Sequence, residues 1–246
     1  MTWRSLVVAF RTPAAIIPGI IISVFFLFVY QASLSGAANF FLPGQSYLAF
    51  ILPVSIISSS LSGAGLAGES IVRDIENGYF DKLLLTPISR AALLLGPMIA
   101  GAVLLGIQTV IVLGVGLLLG LESATGVGGM LVLLGLALLL GAGFSGLTVG
   151  VALRTGSGAA TQGASFLFFP LTFLTATFVP VSLLSGWIKT AAVYNPITYI
   201  LEAMRSVLLT GWEADILLRG VSSALVLGVI LFGFALLSLR SRTRRR

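Results

Sequence analysis

The chain has 246 residues, a mean hydropathy of +1.10, only 9% charged residues and a formal net charge of +6. A soluble protein of this size cannot hide so much apolar surface, so the composition places the chain among integral membrane proteins. Histidine and cysteine are absent, which excludes His-based nucleophilic pairs, most zinc sites and any disulfide, and leaves the redox compartment unspecified.

A bilayer core is about 30 Å thick, and an apolar stretch of about 20 residues crosses it as a helix. Six stretches qualify, at 14–34, 45–67, 91–120, 127–152, 159–181 and 216–239. The predicted fold class is an all-α polytopic membrane protein with six transmembrane helices. Barrel strands would alternate apolar and polar residues instead of running apolar throughout. The first apolar run is a full span in length with no small-residue cleavage site after it, so no cleavable signal peptide is expected.

Ahead of that run, Trp3, Leu6, Val7 and Phe10 fall on one side between Arg4 and Arg11. The spacing predicts an interfacial helix over 1–12, with a frayed tail as the alternative. Span one is rich in phenylalanine and ends near Tyr30, a candidate interfacial anchor. Span two carries Pro53, then Ser58, Ser59, Ser60, Ser62, Gly63, Gly65 and Gly68, a small-residue face suited to close helix packing.

The segment 68–90 interrupts this pattern with seven charged residues, Glu69, Arg73, Asp74, Glu76, Asp81, Lys82 and Arg90. It reads as a loop held outside the lipid. Within it, Asn77 is positioned to cap a short helix. Phe80, Leu83 and Leu84 fall at i, i+3 and i+4, on one face, and Pro87 ends the helix near Thr86. So short a helix is poorly stable alone. It fits either a plug for a groove on a partner or a solvated helix resting on the membrane surface.

Spans three and four contain small-xxx-small pairs at Gly116/Gly120 and Gly146/Gly150, read as intramolecular packing, with a dimer interface as the alternative. Span five carries Phe166, Phe168, Phe169, Phe173 and Phe178 with Pro170 and Pro180. In 182–215, Ile197, Ile200, Leu201, Met204 and Leu208 recur at helical spacing. The segment 196–209 is too short and too charged to span, and fits one or two short helices at, or dipping into, the outer face. After span six, Arg240, Arg242, Arg244, Arg245 and Arg246 form a basic tail over 240–246. Directly behind an apolar span, it is an anchor on anionic lipid headgroups, not a nucleic-acid site.

With six spans, one side holds Arg4, Arg11, Arg73, Lys82, Arg90, Arg154 and the five terminal arginines, and the other holds Lys189, Arg205 and Arg219. The positive-inside bias predicts that both termini and the charged island are cytoplasmic.

Catalytic chemistry is sparse. Spans one to five contain no Asp, Glu, Lys, Arg or His, so a proton relay has no residues to run on. The chain has no Gly-rich phosphate loop ending in Gly-Lys-Ser/Thr. Ser145, within Gly-Phe-Ser-Gly, has no histidine to act as its base. No catalytic, cofactor-binding or metal site is expected, and the energy for transport is expected from outside the chain.

Glu69, Arg73-Asp74, Gly78, Phe80, Leu83-Leu84, Thr86-Pro87 and Ser89-Arg90 resemble the first cytoplasmic loop of ABC-2 type transporter permeases, where a Glu-rich, Gly-containing segment precedes L-L-x-[TS]-P-[IV]-[SR]-R. Asn195-Pro196-Ile197-Thr198-Tyr199, with Glu202 and Arg205 following, is similar to the N-P-x-T-Y-x-x-[DE]-x-x-R element before the family's last span. The resemblance covers essentially the whole chain. The island departs from it in spreading its acids more widely than the family's compact Glu-Arg-Glu-x-Gly run.

The resemblance implies a single ABC-2 type transmembrane domain over 1–246: spans one and two at 14–67, a coupling-helix loop at 68–90, spans three to five at 91–181, outer re-entrant helices at 182–215 and span six at 216–239. It implies the membrane subunit of a bacterial ABC exporter in the cytoplasmic membrane. Its partners would be two separately encoded ATPase subunits, which use ATP and Mg²⁺, a second identical or related permease, and membrane lipids. Phe80, Leu83 and Leu84 would fill a groove on the ATPase, with Glu69, Arg73, Asp74 and Asp81 at the loop base or groove rim and Gly78 and Pro87 bounding the helix. Substrate would pass between protomers along spans one, two and five. Asn195, Pro196, Tyr199, Glu202 and Arg205 would form the outer gate, with Glu202 and Arg205, three apart on a helix, able to pair.

Apolar and aromatic spans suggest amphiphilic cargo: a drug or antibiotic, or a lipid or lipid-linked glycan. The antibiotic-resistance type is the nearest match within the family, and polysaccharide export is the alternative there. An ATP-independent transporter and a membrane scaffold are the alternatives outside it.

Overall fold

A computed structural model describes residues 13–38, 40, 42–86 and 89–244. The segment 1–12, Pro87, Arg245 and Arg246 lie outside the described residues, and with them the expected N-terminal interfacial helix, the proline stop and the end of the basic tail.

The described chain is helical: α1 (Pro13–Ala38), α2 (Tyr47–Glu76), α3 (Tyr79–Leu84), α4 (Arg90–Leu118), α5 (Gly126–Thr155), α6 (Gly158–Phe166), α7 (Phe168–Phe173), a 3-10 turn at Val181–Leu183, α8 (Gly186–Tyr194), α9 (Pro196–Leu209) and α10 (Ala214–Arg244). Five of these, α1, α2, α4, α5 and α10, are long and apolar enough to cross a membrane. The chain is therefore an integral membrane protein. Serine caps open several elements. Ser46, Ser89 and Ser157 each accept a hydrogen bond from the main-chain N–H three residues on, satisfying one donor that a helix start leaves free.

Helix α2 is the hub. Its apolar span is 93% buried, and it packs against α1, α4, α5, α6 and α9. The small residues of its second half permit this. A Cβ on Gly68 would collide with Thr161 of α6 and stand 2.9 Å from the Cβ of Thr148 on α5. Thr148 Oγ1 donates to the Ala64 carbonyl at 2.5 Å, so the two backbones meet without an intervening side chain. Glycines serve α5 and α10 in the same way. A Cβ on Gly146 would lie 2.9 Å from the Leu231 main chain, and one on Gly143 3.2 Å from the Gly228 Cα. Gly146, Gly150 and Gly116 thus face neighbouring helices of the same chain, as the packing reading expects, whereas Gly120 lies past the end of α4 with open space around it. Helices α1 and α10 flank the bundle, each only 17% buried along its apolar window. Ile21, Phe25 and Phe28 of α1 and Val229 and Ile230 of α10 face outward.

Two sequence expectations change here. The second span is not followed by a loop at 68. Helix α2 runs on to Glu76, so Glu69, Arg73 and Asp74 are helical. Its 30 residues are about 45 Å long at 1.5 Å per residue, against a core of about 30 Å. The charged turns are the part that projects beyond the apolar layer. The fifth stretch, 159–181, is not one helix. It divides into α6 and α7 at Leu167 and is non-helical beyond Phe173 apart from the 3-10 turn. Pro180 has no N–H to continue a ladder, and hydroxyls compete for the free carbonyls: Thr175 Oγ1 and Thr177 Oγ1 both donate to the Thr172 carbonyl, at 2.7 and 2.6 Å.

Candidate functional site

The island lies at one end of the bundle with the C-termini of α5 and α10. Asn77 closes α2 as its C-cap and does not open the next helix. Gly78, at φ +65°, follows, and this left-handed conformation, cheap only for glycine, turns the chain directly into α3. The turn decides which face of α3 points inward. Phe80 is 1% exposed and Leu83 is also buried. Phe80 joins Ala67 and Ile71 of α2, Leu94 and Met98 of α4, Val149 and Leu153 of α5, and Leu239 of α10 in a second apolar core. The expectation that Phe80 and Leu83 fill a groove on a partner is therefore corrected. A six-residue helix cannot hold itself, and its apolar face buries against the four long helices beneath it. What α3 presents outward is Tyr79, Lys82, Leu85 and Thr86, with Leu85 at 88% exposure. Leu84 and Asp81 are half-buried.

Arginines pin this end together. Arg242 of α10 donates through Nη1 to the Leu153 carbonyl at 3.0 Å, with its guanidinium 5.9 Å from the Phe80 ring. Arg154 of α5 donates through Nε to Ser238 Oγ at 3.0 Å and lies over Phe234. Glu69 accepts a hydrogen bond from Gln162 Nε2 of α6, a tie across 93 positions that no motif announced.

The opposite end gathers the start of α2, the α4–α5 connection, the broken segment and α8–α9. Thr125 Oγ1 and Ser123 Oγ donate to the Val207 carbonyl at 2.6 and 3.2 Å, and Ala124 N–H donates to the Leu208 carbonyl at 3.0 Å. Helix α9 is thereby roofed over the bundle, with Ile197, Ile200, Leu201, Met204 and Leu208 in the main core. This is the face predicted from their spacing.

Asn195 and Arg205, both singled out from the sequence, turn toward the broken segment. Asn195 caps α9 by accepting from Ile197 N–H at 3.0 Å, and its Nδ2 donates to the carbonyls of Leu171 and Leu174 at 2.7 and 3.3 Å. Pro196 occupies the first helical position, where its missing N–H costs nothing. Arg205 is 6% exposed. Its Nη1 and Nη2 donate to Ala176 and Thr177 carbonyls at 2.6 and 2.9 Å, and its Nε donates to the Phe50 carbonyl at 2.9 Å. Its guanidinium lies 3.4 Å from the Phe50 ring centroid. Carbonyls freed by a broken helix are costly away from water. Asn195 and Arg205 together satisfy four in the broken segment, those of Leu171, Leu174, Ala176 and Thr177. Tyr199 Oη donates to the Val193 carbonyl at 2.7 Å, joining α9 to α8.

The Glu202–Arg205 ion pair does not form, because Arg205 has committed its three nitrogens to main-chain carbonyls. Burial pulls the Arg205 guanidinium down to about 9, against the opposing pull of Glu202, and it remains a cation at neutral pH. Glu202 is half-buried, and no hydrogen bond or ion pair to it occurs among the described residues. Desolvation raises its carboxyl above the usual range, although Arg205 and Arg219 pull the other way. It lines a cavity of about 370 Å³ between the start of α2, the non-helical segment, α9 and α10.

A family model described as ABC-2 type transporter matches residues 1–209. The chain belongs to the ABC-2 type transporter family. It is 24% identical over 201 residues to the probable doxorubicin resistance ABC transporter permease protein DrrC of Mycobacterium tuberculosis, in strains CDC 1551 / Oshkosh and ATCC 25618 / H37Rv alike, covering 82% of this chain and 72% of that one. This ABC-2 chain is thus the membrane subunit of an ABC transporter. Both predicted motifs lie in the matched region, one at each end of the bundle.

Proposed function

We propose that this chain is the permease of an ATP-driven exporter that moves an amphiphilic drug-like or lipid-like molecule out of the cytoplasm or the inner leaflet. It works in the bacterial cytoplasmic membrane with a second permease copy and two separately encoded ATPase subunits. ATP and Mg²⁺ are used on those subunits, and this chain holds no cofactor. The observation that carries the reading is the short helix α3, clamped to the bundle by Phe80 and presenting Tyr79, Lys82, Leu85 and Thr86 at the most basic end. A rigid knob of that kind can be pushed by a partner and passes the push to α2, α4, α5 and α10 together. Arg73 and Asp74, on the projecting turns of α2, stand beside it.

The drug-like cargo is supported by the likeness to a doxorubicin-resistance permease, which is a likeness of that protein's named role, and by the aromatic exposed face of α7. Polysaccharide or lipid-linked glycan export is the second reading within the family. The orientation, with the α3 end cytoplasmic, follows the excess of Lys and Arg there. Helices α6 and α7, with the non-helical stretch after them, supply a sixth crossing. Non-helical backbone is tolerated at membrane depth only when protein satisfies its polar groups, as Asn195 and Arg205 do.

Gentle-detergent purification from native membranes tests the reading. A near-stoichiometric ATPase with a phosphate-binding loop is the expected companion. A chain that purifies without one, under conditions that preserve known complexes, would favour an ATP-independent transporter or a scaffold.

A further inference from the structure

The cavity beside α9 has an uneven supply of hydrogen-bonding groups. Its cations are occupied: Arg205 by three carbonyls and Arg219 by Asp215 at 2.8 Å. Ser206 Oγ and Thr210 Oγ1 also line it, and both donate back into their own helix, to the Ala203 and Ser206 carbonyls. They offer the cavity only lone pairs. Its two acids, Glu202 and Glu213, have no side-chain partner among the described residues. Leu42, Val181 and Ile216 supply apolar wall. The cavity therefore presents the unfilled carboxylate acceptors of Glu202 and Glu213 over a greasy surface, beside the side-chain amide of Gln45 and two guanidiniums that already hold acceptors. A volume of about 370 Å³ falls within the range that holds small organic ligands.

The geometry points to a binding site for the ammonium group of a cationic amphiphile, with Glu202 as the counter-ion, Glu213 at the rim and the apolar wall receiving the body of the molecule. This inference rests on the exporter reading for its physiological meaning. It narrows the cargo to organic amines and places a station for them inside one protomer. The counter-ion is Glu202 and not Glu213, because Glu202 is half-buried and Glu213 is exposed. A charge pair is worth more where water is partly excluded. The two guanidiniums nearby reduce the attraction.

The test uses the full chain in nanodiscs of zwitterionic lipid, with dansylcadaverine as a fluorescent primary ammonium and its N-acetyl derivative as the neutral analogue. Empty nanodiscs subtract partition into lipid. The expected result is about tenfold tighter binding of the ammonium, the scale of one favourable charge-assisted contact. Glu202→Gln should erase that preference while leaving the neutral analogue's affinity unchanged, and Glu202→Asp should keep part of it. Filling the cavity mouth with Thr210→Trp should weaken both probes. Equal binding of the two probes by the unaltered chain, or a preference that survives Glu202→Gln, overturns the inference. Since no ATPase is present, failure here together with ATPase co-purification would sink only the amine site. Ammonium selectivity without any ATPase partner would sink only the exporter reading.

Discussion

Arg205 holds three main-chain carbonyls on two separate segments at once, and its removal is costly for that reason. Arg205→Leu would leave the Phe50, Ala176 and Thr177 carbonyls without donors in a buried place. At about 1–3 kcal/mol for each buried group left unsatisfied, a loss of several kcal/mol is expected, read as a lower unfolding temperature in detergent and early proteolysis within 174–185. Arg205→Lys should recover only part, because an ammonium cannot match a planar fork. Glu202 gives the opposite sign. A carboxyl whose pKa is raised by folding contributes stability at low pH that is lost as pH rises through its folded-state value. Glu202→Gln should therefore leave the unfolding temperature unchanged or slightly higher at pH 7, with no gain at pH 4. Had Glu202 been paired with Arg205, as the i, i+3 spacing alone allows, the same change would destabilise the protein at pH 7.

Among the elements, α3 has one buried and one exposed face, and substitutions on the two faces are expected to act differently. Phe80→Ala should destabilise the whole chain by about 3–5 kcal/mol, the usual scale for deleting a buried aromatic ring. Leu83→Asp should do likewise, by burying an unpaired carboxylate. Neither tests docking, since both residues lie inside the bundle. Leu85→Asp, on the outward face, should leave the unfolding temperature unaltered while reducing co-purification of the ATPase. Loss of the ATPase with Phe80→Ala alone, and none with Leu85→Asp, would argue against α3 as the docking element. The α5–α10 contact is equally specific. Gly146→Leu must push the Leu231 backbone away, at a cost of about 1–3 kcal/mol or more, whereas Gly135→Leu, with open space around it, should be silent.

Across the whole molecule, the excess of basic residues at the α3 end defines a sidedness that the absence of native cysteine makes easy to measure. Lys82→Cys should react with a membrane-impermeant maleimide only after cells are opened, and Trp187→Cys, on exposed α8, should react in intact cells. Labelling of both from outside would break the topology. A push on α3 has a physical route to the other end: α3 is clamped to α2, Glu69 of α2 is tied to Gln162 of α6, and α6–α7 leads to the segment held by Asn195 and Arg205.

The spans were legible because lipid demands long apolar helices, and five of the six predicted stretches are such helices. The motif residues Asn195 and Arg205 were picked out through the resemblance to the family's N-P-x-T-Y element, and the carbonyls they hold were not legible from it. The inward face of α9 was legible from its period. Three things required the third dimension. The break at 167–180 is decided by whether distant side chains can satisfy the carbonyls it frees, and periodicity cannot see those donors. The inward turn of Phe80 depends on the reversal at Gly78 and on four helices meeting beneath it. The separation of Glu202 from Arg205 depends on backbone oxygens that compete for the guanidinium. Composition and hydrophobic pattern therefore determined that this chain lives in a membrane and where its five long apolar helices lie. Tertiary structure alone decided which polar groups are spent holding the protein together and which are left over for a ligand, because hydrogen-bond satisfaction is settled by partners far apart in the chain.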